Sequence, residues 1–113
     1  MGAFGMIRVY ICSPFRAADD EGRKRNVDYA KKLVKQAVNR GWAPFAPHLY
    51  LPGVLDDADA EQREAGMRAG LAFLETCDAV IVGAKYGISE GMAREIRYAK
   101  ALGIPRKDAS EEG

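Results

Sequence analysis

The run DAVIVG at residues 78–83 decides the fold of this chain. Its apolar residues are continuous and polar residues flank them, which is the pattern of a central parallel strand covered on both faces. A second β-branched and aromatic run, IRVYIC at residues 7–12, predicts another strand. Helical sequence separates the two runs, so we expect parallel strands that are joined by helical crossovers.

Two helices and a short strand are predicted between these runs. Residues 24–40 carry apolar side chains at helical spacing, and Gly41 supplies the stop. The predicted buried stripe of this helix consists of Val27, Ala30, Leu33, Val34, Ala37 and Val38. Residues 42–47 predict a short edge strand, because the prolines in it donate no ladder hydrogen bond. Residues 60–76 predict a second helix, which its glycines weaken.

A third helix is predicted to begin after Ser89, whose hydroxyl can accept from a backbone N–H of the first turn. Its apolar positions recur at three- and four-residue steps, as Met92, Ile96, Ala99 and Leu102. Glu95 lies at the margin of that stripe. A carboxylate there is either a boundary residue whose head reaches water or a group that is held in a cleft.

The alternation of strands and helices predicts a small flavodoxin-like or Rossmann-like domain, an α/β/α sandwich of three layers. The expected order of its parallel strands is 2-1-3, followed by a short or missing fourth strand at Ile104–Pro105. We expect residues 1–105 to form a single domain. Residues 106–113 are expected to be a polar, disordered tail.

Composition excludes several classes of function. The formal net charge of +1 gives no electrostatic reason to bind nucleic acid or an acidic membrane surface. No apolar run approaches the roughly 20 residues that span a bilayer, and the N-terminal stretch lacks the pattern of a secretory signal. Cys12 and Cys77 fall at opposite ends of their predicted strands, which is too far apart for a disulfide. We therefore expect two free thiols, which fit the reducing cytoplasm. A single histidine without clustered cysteines argues against a zinc site.

The fold class predicts where a ligand would bind. In parallel sheets of this kind, ligands bind beyond the carboxyl ends of the strands, where the strand order reverses. Residues 13–18, 48–57 and 84–95 follow the three predicted strands and should converge at that point. Glu95 then faces the ligand site. No glycine-rich phosphate loop of the P-loop or dinucleotide type is present.

Two stretches of sequence resemble the nucleoside 2-deoxyribosyltransferase-like family, which includes 2′-deoxynucleoside 5′-phosphate N-hydrolases. They are VYICSPFR at residues 9–16 and SEGMAREIRYAKALGIP at residues 89–105. The most specific part is the Ser-x-Gly-x-x-x-Glu run that Ser89, Gly91 and Glu95 form. The resemblance extends over most of residues 7–105.

The resemblance implies that Glu95 is the nucleophile. It would attack C1′ of a deoxyribonucleoside and displace the base, leaving a glycosyl ester that water or a second base resolves. Tyr10 matches a tyrosine that orients the nucleophile. Neither a metal nor an organic cofactor is needed for this reaction.

The resemblance also implies a substrate site for a nucleoside or nucleotide. Ser13 and Arg16 lie in the loop that helps to hold a 5′-phosphate, and the planar fork of an arginine can bind two phosphate oxygens at once. Ser89, with the free N–H groups of the helix N-terminus, would hold a phosphate or hydroxyl. Gly91 would let the backbone approach the substrate.

One position departs from the family pattern. Relatives carry an aspartate eight residues before the aspartate that opens the strand at 78–83, and it assists protonation of the leaving base. Gly70 occupies that position here, and the loss of a general acid costs about 10²–10⁴ in rate. We therefore keep two hypotheses: an N-glycosidic bond hydrolase or transferase, and a non-catalytic nucleoside-binding domain.

The loop at residues 48–57 could supply a substitute acid and a contact between copies. His48, Asp56 or Asp57 could reach over the pocket, but His48 could equally be a packed loop residue. Asp56 and Asp57 could instead cap the following helix together with Asp59. Family relatives form oligomers, and the apolar residues of this loop favour a homo-oligomer here. These residues are Leu49, Tyr50 and Leu51.

Overall fold

The structure is a computed structural model, and it describes residues 5–56 and 58–109. Within these residues, four parallel strands form one sheet: β1 (Arg8–Cys12), β2 (Ala43–Phe45), β3 (Ala79–Val82) and β4 (Arg106–Asp108). Their order is β2-β1-β3-β4, with β2 at one edge. The α/β fold class and the order 2-1-3-4 are therefore confirmed.

Three helices cover the sheet: α1 (Asp20–Asn39), α2 (Ala60–Leu74) and α3 (Glu90–Ala101). Two 3₁₀ turns, Pro47–Leu49 and Leu51–Gly53, lie in the connection between β2 and α2. Both central strands are buried along nearly their whole length, as expected for strands with helices on both sides. No helix among the described residues combines the length and apolarity that crossing a bilayer requires.

The two central strands divide the core into two layers because successive side chains of a strand point to opposite faces. One layer lies on α1 and includes Val9, Ile11, Ala79, Ile81 and the helix residues Tyr29, Leu33 and Ala37. The other layer lies on α2 and α3 and includes Tyr10, Cys12, Val80, Val82, Leu74, Met92 and Ala99. Cys12 and Cys77 are both free and buried.

Helix α1 begins four residues earlier than the apolar spacing predicted. Asp19 caps it, because its Oδ1 accepts from the Gly22 N–H at 2.7 Å. The buried face also differs from the predicted stripe: Val38 is 54% exposed, whereas Asn26 and Tyr29 are buried. The buried face of the helix includes Asn26 because its side-chain amide donates to backbone carbonyl groups in the loop after β1. In α3, Leu102 of the predicted stripe is the C-cap residue and is exposed.

The fourth strand lies in the segment that was expected to be a disordered tail. Arg106–Asp108 pairs with β3, and the carbonyl of Pro105 accepts from the Val80 N–H at 2.9 Å. The prediction for 106–108 was wrong because all three side chains are exposed and charged, so their hydropathy gave no strand signal. Such charges are typical of an edge strand. Residues 110–113 of the predicted tail lie outside the described residues.

Candidate active site

A cavity of about 420 Å³ opens where the segments after β1, β2 and β3 meet. Its volume lies in the range of roughly 300–1,000 Å³ that is typical of small-molecule sites. Seven of the eight site residues expected from the sequence line it: Tyr10, Ser13, Arg16, His48, Ser89, Gly91 and Glu95. The eighth, Asp57, lies outside the described residues. The cavity occupies the position that the strand order predicted.

A tyrosine and a glutamate in the lining of the cavity form a hydrogen bond. Tyr10, in the centre of β1, is fully buried, and its hydroxyl donates to Oε2 of Glu95 in the second turn of α3. Alternation along β1 directs Tyr10 toward the α2 and α3 layer. The strand therefore fixes the orientation of the carboxyl group.

Burial changes the ionisation of both partners. It raises the pKa of Tyr10 above its usual range, and the neighbouring charge of Glu95 adds to this effect. The hydroxyl thus remains a donor at neutral pH. Burial also raises the pKa of Glu95, while hydrogen bonds from Tyr10 and the Cys12 thiol act in the opposite direction. The result is a poorly solvated carboxyl group that the Tyr10 hydroxyl orients.

The N-terminus of α3 forms one side of the cavity. Ser89 caps it, since its Oγ accepts from the Met92 N–H at 3.2 Å. A Cβ placed on Gly91 would meet no atom within 4 Å. Packing of the described residues therefore does not require glycine there, and its missing side chain leaves room beside the first helical turn.

A serine and a histidine join two of the loops that surround the cavity. Ser13 Oγ lies 2.8 Å from His48 Nε2, which connects the end of β1 with the 3₁₀ turn after β2. Burial lowers the pKa of His48 from 6.5 to about 4. The imidazole is therefore neutral at pH 7, lines the cavity and forms a hydrogen bond within it.

Arg16 stands on a loop that α1 holds in place. The side-chain amide of Asn26 donates to the carbonyl oxygens of Phe15 and Arg16, at 3.1 and 3.3 Å. Asn26 is 1% exposed, so these bonds are made in the protein interior. Arg16 itself is exposed, at the rim of the cavity.

Helix α2 forms an apolar wall opposite α3. Residues that this helix contributes to the cavity include Gly66, Met67, Gly70 and Leu71. A Cβ on Gly70 would lie 3.0 Å from Tyr10 Oη and 3.8 Å from Pro47 Cγ. Position 70 therefore adjoins the hydroxyl that donates to Glu95.

The aspartates that precede α2 have local roles. Asp59 is the N-cap, because its Oδ1 accepts from the N–H groups of Glu61 and Gln62, at 2.9 and 3.3 Å. Asp56 accepts from the Ala58 N–H at 3.0 Å and is not among the described residues that line the cavity. Of the candidate substitutes for the missing acid, His48 is thus the described residue that reaches the cavity.

Comparison with known families gives a match over residues 7–109 to a family that is described as a domain of unknown function, DUF7768. The chain belongs to the DUF7768 family. No curated protein matches it.

Solved structures show the fold of this DUF7768 protein. A 2-deoxyribosyltransferase from the psychrotolerant bacterium Bacillus psychrosaccharolyticus is similar with a TM-score of 0.64 and 21% identity, over 94% of this chain and 75% of that chain. The CMP N-glycosidase BcmB of Clostridium botulinum gives a TM-score of 0.49 and 19% identity, over 93% and 71% of the two chains. The nucleoside 2-deoxyribosyltransferase-like fold that the sequence motifs predicted is therefore confirmed.

Several residues of the DUF7768 site were not predicted from the sequence. The clearest cases are Arg63 and Arg94, which line the cavity, and Asn26, which holds the loop after β1 from outside the cavity. Arg94 Nη1 contacts Met67 Sδ at 3.3 Å and Glu64 Oε2 at 3.8 Å. The sequence gives one indication for Asn26: it is a polar residue next to Val27, which belongs to the predicted buried stripe. The sequence gives no such indication for the two arginines, because charged residues on helices are ordinarily solvated.

Proposed function

We propose that this DUF7768 protein cleaves the N-glycosidic bond of a nucleoside or nucleotide, with Glu95 as the nucleophile. The observation that carries the proposal is the partly buried hydrogen bond from Tyr10 to Glu95 in the lining of a nucleoside-sized cavity. A carboxyl group with a perturbed pKa in a cleft is a mark of a functional site. The Ser-x-Gly-x-x-x-Glu motif and the fold support the same reaction class.

The reaction has two displacement steps. A Glu95 carboxylate oxygen attacks C1′, the bond between C1′ and the base nitrogen breaks, and the electron pair remains on the base. Water, or a second base, then attacks C1′ of the glycosyl ester and releases the carboxylate. Tyr10 positions the carboxyl group through Oε2, so the attacking geometry is set before the substrate binds.

The loops around the cavity would hold the sugar and a 5′-phosphate. Arg16 can offer its planar fork to phosphate oxygens, and the N-terminus of α3 favours negative charge. The hydrogen bond to His48 fixes the Ser13 hydroxyl beside these groups. We assign binding of the sugar-phosphate end to Ser13, Arg16, Ser89 and Gly91, and of the rest of the nucleoside to the α2 side.

A second function is favoured by one observation. Gly70 leaves the α2 wall without an acid beside Tyr10, which fits a domain that binds a nucleoside without cleaving it. Binding without base release would establish this alternative. Asp57 stays a predicted ligand-contact residue under both functions.

The test of the proposed function is base release from a panel of nucleosides and their 5′-monophosphates. We expect release by the wild type and a decrease of at least about 10³-fold in Glu95→Gln, because the amide cannot act as the nucleophile. Glu21→Gln, which removes an exposed carboxylate in the first turn of α1, is the matched control. Calorimetric binding without base release would replace the proposal with the binding function, and neither binding nor release would contradict both.

We further propose that the protein acts in the cytoplasm as a homo-oligomer. Its two free thiols are consistent with a reducing compartment. Tyr50, Val54 and Phe73 are 47%, 77% and 50% exposed, and Phe45 stacks on Phe73 at 4.3 Å between ring centroids. We assign Tyr50, Val54 and Phe73, hereafter the aromatic face, to contact with a second copy of the chain.

A further inference from the structure

The cavity holds few groups that could give a proton to a departing base. Among the described residues that line it, the carboxyl groups are those of Glu90 and Glu95. Glu95 is the proposed nucleophile, and Glu90 is exposed in the first turn of α3. His48 is neutral at pH 7 and shares a hydrogen bond with Ser13. The described residues that α2 contributes to the cavity include no carboxyl group.

The steric surroundings of Gly70 reinforce this absence. An added Cβ would lie 3.0 Å from Tyr10 Oη, which is closer than nearly all such contacts in proteins. A side chain at this position would therefore require the Tyr10 hydroxyl to shift by a few tenths of an ångström. Glycine at position 70 lets this hydroxyl approach α2 closely.

A base without a proton donor can still leave if it already carries a positive charge. A neutral base departs as an anion unless an acid protonates it, and that acid contributes about 10²–10⁴ in rate. A ring that is alkylated or glycosylated so that it is cationic departs as a neutral molecule. The missing acid would then cost nothing.

We propose that the preferred substrates are N-glycosides whose base is a cationic ring, such as an N-alkylated purine or a pyridinium. The inference rests on the proposed function, since it needs Glu95 as nucleophile. The Glu95 oxygen bonds to C1′ while the C1′–N bond breaks. The electron pair of the broken bond stays on the ring nitrogen and neutralises the ring. Water then attacks C1′, the carboxylate is released, and the water proton passes to solvent.

The carboxylate of Glu95 is the group that a cationic ring would face. It is poorly solvated and therefore attracts a positive charge more strongly than an exposed carboxylate does. Met67 and Leu71 give the α2 side of the cavity apolar surface for a ring. Three arginines, Arg16, Arg63 and Arg94, also line the cavity, and Arg94 Nη1 is 3.8 Å from Glu64 Oε2.

The test compares substrates that differ by one methyl group and one charge. 7-Methylguanosine is compared with guanosine, both as ribosides and 2′-deoxyribosides and with or without a 5′-phosphate. Nicotinamide riboside and its 5′-phosphate test the pyridinium source. Rates in Glu95→Gln are subtracted as background. We expect kcat/KM for the cationic substrate to exceed that of its neutral partner by at least about 100-fold.

Each outcome decides between defined possibilities. Cleavage of 7-methylguanosine alone, or of the nicotinamide nucleosides alone, identifies the source of the cationic ring. Neutral and cationic substrates cleaved within about tenfold of each other would overturn this inference, because a group that protonates the base would then exist. Such a result would leave the proposed function intact. No base release from either class would overturn both.

The pH dependence provides a second readout that does not depend on the intrinsic reactivity of the ring. For nicotinamide riboside, we expect kcat/KM to rise as Glu95 ionises and then stay level from neutral to mildly alkaline pH. A general acid would add a fall on the alkaline side. That fall would overturn the inference even if the cationic substrates were faster.

Discussion

At the scale of single residues, the site depends on the contact between Tyr10 and Glu95. One partner belongs to the buried centre of β1 and the other to α3, so packing determines the position of a polar group. The contact has a measurable consequence for ionisation, because the hydrogen bond from Tyr10 lowers the pKa of Glu95 against the larger effect of burial. Two residue-scale predictions follow from the polar pairs of the cavity.

Tyr10→Phe removes the hydrogen bond and keeps the ring. We expect kcat to fall about 10- to 100-fold, because the carboxyl group loses its orientation. Glu95 must be ionised to attack, so activity is lost as the pH falls through its pKa. Without the Tyr10 bond that pKa rises further, and the acidic limb of the kcat/KM profile should move to higher pH. An unchanged limb would contradict the role that we give Tyr10.

His48→Gln tests the buried imidazole through stability. The pKa of His48 is about 4 in the folded protein, against 6.5 for an ordinary histidine. Between these two values the unfolded chain binds more protons, so the free energy of unfolding decreases as the pH falls. We expect this decrease to reach about 3 kcal/mol at most by pH 4.

The measurement for His48 is urea denaturation of the wild type and His48→Gln across that pH range. Glu95, whose pKa is raised, affects stability in the opposite direction over part of the same range. It does so in both proteins, so the difference between them isolates His48. Parallel stability curves would contradict the prediction.

At the scale of elements, helix α1 supports the site from outside the cavity. Asn26 connects it to the loop that carries Ser13 and Arg16, through the carbonyl oxygens of Phe15 and Arg16. A helix that packs against the sheet therefore also fixes a loop that lines the cavity. A prediction for this element separates its two roles.

Asn26→Ala removes two buried donor bonds. We expect the free energy of unfolding to fall by about 1–3 kcal/mol, because the carbonyl groups lose buried partners. We also expect KM for a 5′-monophosphate to rise more than KM for the corresponding nucleoside, since the loop carries Arg16. Asn39→Ala, at the exposed end of α1, is the control. Equal changes in the two KM values would show that Asn26 affects stability and does not position Arg16.

Sequence patterns predicted those elements whose side chains are buried. β1 and β3 were placed within one residue at each end, because their apolar runs reflect burial on two faces. A short fourth strand was expected at Ile104–Pro105 and lies instead at Arg106–Asp108, since a strand that is held by backbone pairing alone needs no apolar side chain. The start of α1 was missed for a related reason. Its first turn is polar, and the cap at Asp19 lies in a run of charged residues.

The candidate site was predictable where it depends on topology. Strand order brings the segments after β1, β2 and β3 together, so the meeting of Ser13, His48 and Glu95 around one cavity could be expected. The individual contacts could not. The Ser13–His48 bond depends on a 3₁₀ turn, and the α2 wall depends on how closely its glycines approach Tyr10. No periodicity encodes either of these.

At the scale of the whole molecule, the aromatic face is the exposed apolar surface that we propose as the contact with a second copy of the chain. Tyr50 and Phe73 both contact Phe45, at 6.0 and 4.3 Å between ring centroids, so the patch is continuous across three elements. It adjoins the loop that also contributes His48 to the cavity. A second copy bound there would lie close to the mouth of the site.

Phe73→Ser tests this assembly. We expect sedimentation or light scattering to report a dimer or larger oligomer for the wild type and a smaller species for the variant, because an interface patch loses its aromatic centre. Val38→Ser, which replaces an equally exposed apolar residue on α1, should leave the mass unchanged. A monomeric wild type, or equal masses for all three proteins, would exclude the aromatic face as an interface.

The cavity combines parts of the protein that differ in how freely they can vary. The Tyr10–Glu95 pair belongs to the central strand and the helix beside it, whereas the α2 wall and the loop after β2 supply much of the remaining lining. Under the proposed function, the reacting carboxyl group and the walls around the base would therefore lie in separate segments of the chain. A library that randomises only the cavity-facing positions of residues 62–71 would thus be a natural starting point for directed evolution toward other bases.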